Sequence, residues 1–540
     1  MSGLIFDNQP AAPQFNPGRA DIACFVGLVR LLSPNAILPV GLAAWLNSLG
    51  YSNSQMTDSN GQLTQITNIP VPLETYASFT SFFDDGSSGT GYGTDYVATA
   101  VRSFFAQGGK RCYVVRVGDP VTDHDQDQDK SAKLQALLPN AAYAPDDAHS
   151  WTGIGSLGVL EDVSFLVTPD LPILCASKAE GAVGQVPFVP TGPEEFVECS
   201  QADITPPQNP TYTAPAPRLT SDDYGRYWAP SVVSILNFLA GGALRHQLHL
   251  REIQFVAAFP LPRDLDVATA AENPSSAEIA QDIHDVISAQ MPEVVEPPDA
   301  VTPGNISSAF LQLAYPWLKT TGSGVLLESL EPPDGALAGL LARNALTRGT
   351  FTSATKIVPA EIYDVWPTLP GQETRSAATP LLWDPFSPPK ALIERLSLFG
   401  FSPAGLRLLS DVTAYPGDTY RSGPVNRLVS VICRAARRMG ESAIFQSNGP
   451  ALWGRVQRFL QNLMTRLWSL NALDGASVKD AFSVRCDQST VTQNAIDNGR
   501  LLAEVTFRAA STIETIRVTL AMEAGGTSAQ EISNNLAEST

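Results

Sequence analysis

Three patterns in the first half of this chain could support chemistry, and each can be compared with the spacing that the chemistry needs. Gly153, Gly155 and Gly158 fit the GxGxxG fingerprint of dinucleotide-binding loops. That fingerprint works when a strand precedes it and a long helix follows, because the amino end of the helix then meets the pyrophosphate. Here a polar loop precedes the glycines and an apolar strand-like run follows within a few residues. We therefore assign no dinucleotide site.

A run of aspartates resembles a calcium-binding loop. Its members are Asp119, Asp123, Asp125, Asp127 and Asp129. An EF-hand loop needs glycine at its sixth position and glutamate at its twelfth. Counted from Asp123, those positions hold Gln128 and Leu134. The run is more typical of a solvated loop than of a metal site.

The histidines give no stronger signal. His246 and His249 lie three residues apart on a predicted helix, but a metal pair would need a third ligand nearby. The sequence has no GxSxG elbow, Walker A loop or HExxH pair, and Lys110 is followed by Arg111 rather than by a hydroxyl residue. We therefore predict no catalytic residue, no metal site and no cofactor, and the chain is not expected to be an enzyme.

Two arginine stripes near the C-terminus are the strongest functional pattern. On a helix predicted over 426–439, three arginines fall within about 40° of arc, and on a second helix over 451–468 another three fall within about 80°. Each stripe lies beside an apolar face. The arginines are Arg427, Arg434 and Arg438 on the first helix, and Arg455, Arg458 and Arg466 on the second. Such stripes either form ion pairs within the fold or contact an acidic partner, and the sequence leaves both possibilities open.

The charge balance separates this basic segment from the rest of the chain. The 540 residues carry a net charge of −19. Residues 421–508 contain 12 Lys or Arg and 6 Asp or Glu, a surplus of +6 that leaves −25 for the remainder. An acidic chain is a poor match for nucleic acid, because phosphate binding needs positive charge. The basic segment therefore indicates a protein partner.

Cysteine usage and hydropathy limit the setting of the protein. Six cysteines are scattered singly without a CxxC pair, which is typical of a reduced chain with small buried thiols. Residues 1–18 lack the apolar core of a signal peptide, so we expect none. No run reaches the ~20 apolar residues of a membrane span; the best candidate, 231–244, is interrupted by Asn237 and two glycines.

The elements that must position these residues follow an α/β pattern. The apolar run 22–29 predicts a buried strand. In 95–117, Val97, Val101 and Phe104 have helical spacing, Gly108 and Gly109 end the helix, and an alternating strand follows. Further strands are predicted at 163–167 and 254–259, and further helices at 40–49, 229–240 and 276–290.

The basic segment is predicted to end in a sheet. Strands are expected at 482–486, 501–508 and 513–522. In the last of them, Ile516, Val518, Leu520 and Met522 share one face. A half-apolar strand so near the chain end is suited to pairing with the sheet edge of a neighbouring subunit. Residues 523–540 are polar and are expected to be loose.

These patterns divide the chain into four parts. They are an extended arm at 1–20, an α/β body at 21–420 with surface insertions near 121–150, 185–228 and 345–395, a C-terminal domain at 421–522 and a polar tail at 523–540. The arm holds one apolar patch, formed by Leu4, Ile5 and Phe6.

Several segments resemble the contractile tail sheath family, especially sheath proteins of extracellular phage-tail-like injection systems. ADIACFVGLV (20–29), DYVATAVRSFFAQGGKRCYVVRVGDP (95–120) and LEDVSFLVTPD (160–170) are similar to the family's N-terminal strands and helix. AYPWL (314–318) and PPDGALAGLLAR (332–343) resemble the block before its C-terminal domain, and the likeness is nearly continuous over 425–507. The chain departs from the Pro-Gly-Val-Tyr type of arm with which many members begin.

The resemblance implies a fold and a mechanism. The fold is an α/β, subtilisin-like body with a smaller α+β C-terminal domain and terminal strands exchanged between subunits. Subunits stack as hexameric rings around an inner tube, a basic helix contacts the acidic tube, and contraction drives the tube through a target membrane. The implied partners are further copies of the chain, the tube protein, and baseplate and terminal cap proteins.

The family also implies a setting, and two alternatives stay open. Assembly would take place in the cytoplasm, within a phage tail or phage-tail-like particle that is either released or anchored through other components. One alternative is a sheath paralogue that acts as a baseplate-proximal adaptor. The other is a hydrolase built on the subtilisin-like body.

Overall fold

Six parallel strands form the centre of an eight-stranded sheet in the larger part of the chain. The structure is a computed structural model, which describes residues 20–32, 40–52, 66–86, 92–177, 215–241, 248–262, 276–290, 306–371, 373–374, 391–442, 446–491, 496, 500–510, 515–523 and 526–532. The predicted α/β class is confirmed. Leu4, Ile5, Phe6 and His246 lie outside the described residues.

The strand order in this sheet is β12-β11-β8-β6-β4-β1-β3-β2, with antiparallel strands at both edges. The central strands are buried along both faces, which explains why they read as continuous apolar runs rather than as alternating ones. Its strands are β1 (Ala23–Leu28), β2 (Pro70–Leu73), β3 (Cys112–Gly118), β4 (Phe165–Val167), β6 (Gln254–Ala258), β8 (Leu311–Tyr315), β11 (Ser397–Ser402) and β12 (Gly405–Leu408).

The described part of the chain also contains three smaller sheets. Two of them are two-stranded: β5 (Arg218–Leu219) with β7 (Leu261–Pro262), and β9 (Trp317–Thr320) with β10 (Ile362–Trp366). The third is the C-terminal sheet, in which β13 (Phe482–Arg485), β14 (Leu501–Arg508), β15 (Thr515–Glu523) and β16 (Gly526–Ile532) pair in that order.

Within the described residues, eight longer helices pack around these sheets. They are α1 (Val40–Leu49), α2 (Tyr96–Ala106), α3 (Asp127–Leu137), α4 (Ala229–Leu239), α5 (Ser276–Gln290), α6 (Asp334–Thr347), α7 (Gly423–Glu441) and α8 (Pro450–Ser469). Short helical turns occur at Tyr76–Phe79, Leu171–Cys175, Ser221–Asp223, Asp418–Arg421 and Val478–Ala481. In the part of the chain that the structure describes, no helix has the length and apolar character that a bilayer crossing requires.

The predicted helix–glycine–strand unit is confirmed as α2 followed by β3. Gly108 has φ +104°, which favours glycine and ends the helix. Helix α6 lies so close to α2 that a Cβ at Gly335 would come within 2.6 Å of the Ala100 backbone. Glycine at 335 therefore lets the two helices pack against each other and cover one face of the sheet.

Three apolar clusters hold the chain together. Two of them lie on the opposite faces of the eight-stranded sheet, since alternate residues of β1 belong to different clusters. The third joins the inner faces of α7 and α8 to the C-terminal sheet. The described part of 421–532 thus has its own core.

Two predictions about polar segments are wrong. The aspartate run is not all loop, because Asp127 and Asp129 stand in the first turn of α3, where carboxylates favour a helix start. The tail is not all loose, because residues 526–532 form β16, which pairs with β15. The polar composition of both segments concealed their secondary structure. In α3, the buried apolar residues are Leu134 and Leu137, which lie only in its last turns.

Buried carboxyl groups beside α2 and α6 predict an unusual pH dependence of stability. Burial raises the pKa of Glu331 to about 8 and that of Asp334 to about 7. Ser103 and Thr320 donate hydrogen bonds to Glu331 at 2.6 and 2.9 Å, which only partly offset the burial. The folded state therefore holds these protons more tightly than the unfolded chain does.

We expect the stability contributed by these groups to be fully present below about pH 4 and to be lost as pH rises through about 8. The measurement is the thermal unfolding midpoint between pH 5.5 and 8.5, with Glu331→Gln expected to flatten its decline. Asp146→Asn, at an exposed position, is the matched control and should leave the slope unchanged. A flat profile in the parent chain would contradict the prediction.

Candidate partner-contact surface

Helix α7 is the element that joins the C-terminal unit to the body. Pro424 stands in its first turn, where its missing N–H costs nothing, and the helix runs to Glu441. Its apolar face packs in the C-terminal core, while Arg427, Arg434 and Arg437 are buried on the side that meets the body. The predicted helix over 426–439 is confirmed and is longer at both ends.

Arg427 forms a buried ion pair with Asp411. Its Nη2 lies 2.7 Å from Asp411 Oδ2, its Nη1 donates to Oδ1 at 3.0 Å, and its Nε donates to the Thr350 carbonyl at 3.1 Å. Asp411 also accepts from Gln312 and from the Ala354 N–H, both at 2.9 Å. Burial alone would raise the pKa of Asp411, but the arginine and these donors hold it below its usual range. Both charged groups are therefore hydrogen-bonded as well as paired, and they hold α7 in a fixed position against the body.

A second junction forms around Glu252. Arg434 Nε donates to Oε2 at 3.0 Å and Arg437 Nε donates to Oε1 at 2.8 Å. Arg434 also donates to the Ser164 hydroxyl at 3.0 Å and to the Val163 carbonyl at 2.9 Å, next to β4. One buried carboxylate thus holds two arginines of α7 against the body.

The excess positive charge at this junction is met by carboxylates at its rim. Arg437 pairs with Glu441 at 2.8 Å, one turn along α7, and with Glu161 at 3.5 Å. Burial would lower the pKa of Arg437, but its bonds to Glu252 and Glu441 raise it. Arg438 is half-buried, and burial together with Arg434 and Arg437 lowers its pKa.

This placement divides the predicted arginine set. Arg427 and Arg434 face inward and are 3% and 6% exposed, so we do not include them in the partner surface proposed below. Sequence reasoning missed Arg437, Glu252 and Asp411. Arg437 follows Arg434 by three residues, a spacing that places both on one side of a helix, but no local pattern connects either of them with Glu252.

Helix α8 presents the outward-facing part of the set. Arg455, Arg458 and Arg466 are exposed, and within the described residues none of the three has an ion-pair partner. Arg455 donates to Gln446 Oε1 at 2.6 Å, and Arg458 Nε donates to the Gly454 carbonyl at 2.9 Å. The opposite side of α8 is buried, and its apolar residues are Leu452, Val456, Leu460, Leu463 and Leu467.

The last predicted site lies in the C-terminal sheet. Strand β15 pairs antiparallel with β14 from Phe507 opposite Ile516 to Leu501 opposite Met522. Val518 and Leu520 are fully buried in the C-terminal core. In this single chain the strand predicted for exchange is therefore a member of its own sheet, and β13 and β16 are the edges.

The motifs set aside in the sequence have structural roles where the structure describes them. The glycines of the GxGxxG run lie in a 3-10 helix, Gly153–Val159, and not before a long helix. The Leu157 carbonyl of that turn contacts His249 Nε2 at 3.1 Å, and burial lowers the pKa of this histidine. Among the described residues, no three metal-ligating side chains come together.

The fold of this chain is similar to the fold of individual chains in solved assemblies. No protein-family model matches it, and no curated protein matches it either. A chain of the anti-feeding prophage (AFP) baseplate in its contracted state gives a TM-score of 0.52 at 16% identity, over 100% of this chain and 99% of that one. A chain of the six-fold symmetrised AFP baseplate gives 0.50 at 16%, over 94% and 96%.

A third chain comes from the contracted PVC sheath complex of an extracellular contractile injection system. Its TM-score is 0.48 at 15% identity, over 95% of this chain and 96% of that one. The resemblance predicted from the sequence segments is thus confirmed as a shared fold, and this chain has the fold of chains in the AFP baseplate.

Proposed function

We propose that this chain is a structural sheath subunit of a contractile injection system, and that it assembles and contracts rather than catalyses a reaction. The observation that carries the proposal is a fold shared over the full chain with a subunit of the contracted AFP baseplate. The parallel sheet of the body is compatible with a subtilisin-like core. The body's role is then to carry load between neighbouring subunits.

In this proposal the subunits stack as hexameric rings around an inner tube and α8 lies against the tube. Arg455, Arg458 and Arg466 line one exposed face of the helix, which suits an acidic partner. Exposed ion pairs contribute about 1 kcal/mol or less each. Many such contacts can hold an extended state and still be broken in succession during contraction, because none of them is a tight lock.

The proposal also includes exchange of terminal strands between subunits. The edges available in the C-terminal sheet are β13 and β16, and an extended segment can add to such an edge through main-chain hydrogen bonds. The segment containing Leu4, Ile5 and Phe6 of a neighbouring copy is the proposed added strand, and β15, with Ile516, Val518, Leu520 and Met522, lies one strand inside the receiving edge β16. Assembly would take place in the cytoplasm with tube, baseplate and cap proteins.

A second candidate function is favoured by one specific observation. The two chains compared above with TM-scores of 0.50 and 0.52 come from baseplate structures. A sheath-related adaptor at the baseplate would form single rings with its neighbours instead of long cylinders.

Electron microscopy of the purified protein, alone, with its inner-tube partner and with baseplate proteins, tests both candidates. Ribbed hollow cylinders would support the sheath subunit. Single rings formed only in the presence of baseplate proteins would support the adaptor. Monomers under every one of these conditions would refute both.

Charge reversal on α8 is expected to weaken tube docking. Changing Arg455, Arg458 and Arg466 to glutamate should reduce affinity by about tenfold to a hundredfold, because favourable charge pairs become repulsive. Co-sedimentation with the tube at low and high salt measures the effect, which should shrink as salt rises.

The matched control reverses Lys110, Arg226 and Arg251, three exposed cations of the body. This control should bind the tube like the parent chain. If the α8 variant bound normally as well, α8 would not be the tube-facing helix.

A further inference from the structure

Exposed apolar side chains gather at one edge of the eight-stranded sheet. Val358, Tyr363 and Phe401 are 57%, 58% and 59% exposed. Phe401, the penultimate residue of β11, lies opposite Leu406 of the edge strand β12, and β10, which carries Tyr363, packs beside β12. Single exposed apolar residues are ordinary, but three on adjoining elements mark a contact surface.

Three cations lie on the same elements or on the segments next to them. We name the apolar side chains and the cations together the β12 corner (Arg348, Lys356, Val358, Tyr363, Phe401 and Arg407). Arg348 and Lys356 are exposed, Arg407 is half-buried on β12, and in the described chain none of the three has an ion-pair partner. Of the carboxylates on the neighbouring segment, Asp364 pairs with Lys319 at 3.3 Å, whereas Glu361 accepts from the neutral Thr321 hydroxyl at 2.5 Å and keeps its charge. The three cations outnumber this one uncompensated carboxylate. The corner is therefore basic on an otherwise acidic body.

The opposite side of the same sheet carries the opposite charge. Helix α3 packs beside β3, next to the other edge strand, β2. Asp123 in the turn before this helix and Asp127 and Asp129 in its first turn are exposed, and we name these three the α3 face. Six strand spacings separate β12 from β3, which at about 4.8 Å each is roughly 29 Å.

We propose that the β12 corner of one copy docks on the α3 face of the next copy, giving a head-to-tail lateral contact. Surfaces of opposite charge on opposite edges of one rigid sheet cannot meet within a chain, but they can meet between copies. A contact between two different surfaces of this kind generates rings or helices rather than closed dimers. The apolar side chains supply the dry centre of the contact, and the charges set its register.

This inference rests on the proposed function in one respect, namely that copies of the chain assemble. What it adds to that function is the identity of the two surfaces that contact each other. Two variants test the pairing: Arg348→Glu with Lys356→Glu reverses the corner, and Asp123→Lys with Asp127→Lys reverses the face. All four positions are exposed, so folding should be retained.

Assembly is measured by sedimentation and electron microscopy as a function of protein concentration. Each variant alone should need about a tenfold higher concentration to assemble, because like charges then oppose each other. An equimolar mixture should assemble like the parent chain, since each corner then finds a complementary face on the other variant. Phe401→Ser should weaken assembly without being rescued by mixing.

The matched control is Lys110→Glu with Arg226→Glu, which reverses two exposed cations that belong to neither named surface. If either variant assembled normally, or if the mixture did not recover, the pairing would be wrong while the sheath proposal would stand. If the parent chain formed no assembly with or without its tube partner, the lateral contact and the proposed function would both be refuted.

Discussion

Replacing Glu252 with alanine is expected to lower the free energy of unfolding by about 3–5 kcal/mol, because it leaves buried charges without a counter-charge. Glu252 is 3% exposed and accepts from both Arg434 and Arg437. Removing it leaves Arg434 without a carboxylate partner at the junction between α7 and the body, and leaves Arg437 only its rim partners Glu441 and Glu161. Urea unfolding, followed by tryptophan fluorescence, measures the change.

The chain supplies a close control for this substitution. Glu161 also pairs with Arg437, at 3.5 Å, but its side chain is 69% exposed. Glu161→Ala should therefore cost about 1 kcal/mol or less, since an exposed pair is screened by water. Equal effects at the two positions would mean that the junction is not the buried ionic network described above.

The junction also bears on how the subunit would move. Arg427 with Asp411, and Arg434 with Glu252, tie one helix to two separate places on the body. A helix held at both points moves with the body as one piece. In the proposed function, force applied to the body would then reach α8 through α7.

Ending the chain before Thr515 is expected to unfold the C-terminal unit and to abolish assembly. The deletion removes β15 and β16 and with them Val518 and Leu520, which are fully buried. Losing the burial of each of these side chains lowers the free energy of unfolding by about 1.5–3 kcal/mol. In addition, β14 loses its full-length partner strand. Because these two side chains of β15 are buried, we do not expect the truncated chain to remain a fully folded monomer.

A shorter truncation separates folding from assembly. A chain that ends at Glu523 keeps β15 and the buried Val518 and Leu520 but loses the edge strand β16. It should unfold at a temperature nearer to that of the parent chain than the longer deletion does. If it folds and still assembles into normal particles, β16 is not the receiving edge, and the strand-exchange proposal would have to use β13.

Calorimetry reports the unfolding of the two truncated chains, and electron microscopy reports their assembly. Equal unfolding temperatures for both chains would show that β15 contributes little to the core, against its burial. The comparison is informative because the two chains differ mainly in one strand.

Local periodicity in the amino-acid sequence determines much of the element content. The helices α2, α7 and α8 and the strand β14 follow from apolar spacing within a few residues, since a helix or strand with one buried face repeats its apolar residues. The strands β1 and β3 are buried on both faces and follow from short, mostly apolar runs. The same reasoning missed β16 and the start of α3, where polar residues interrupt the pattern. Pairing with β15, and capping by carboxylates, decided those two elements instead.

The arginine stripes show where sequence reasoning ends. Spacing fixed the angular position of Arg427, Arg434, Arg455 and Arg458 on their helices, and therefore which of them share a side. Only the tertiary structure decided that the first two are buried and the last two exposed. Their partners explain why: Asp411 lies 16 residues from Arg427 and Glu252 lies 182 residues from Arg434. A periodic pattern records which residues share a face but not what packs on it, and the neutralising carboxylates come from distant segments that only the folded sheet brings to α7.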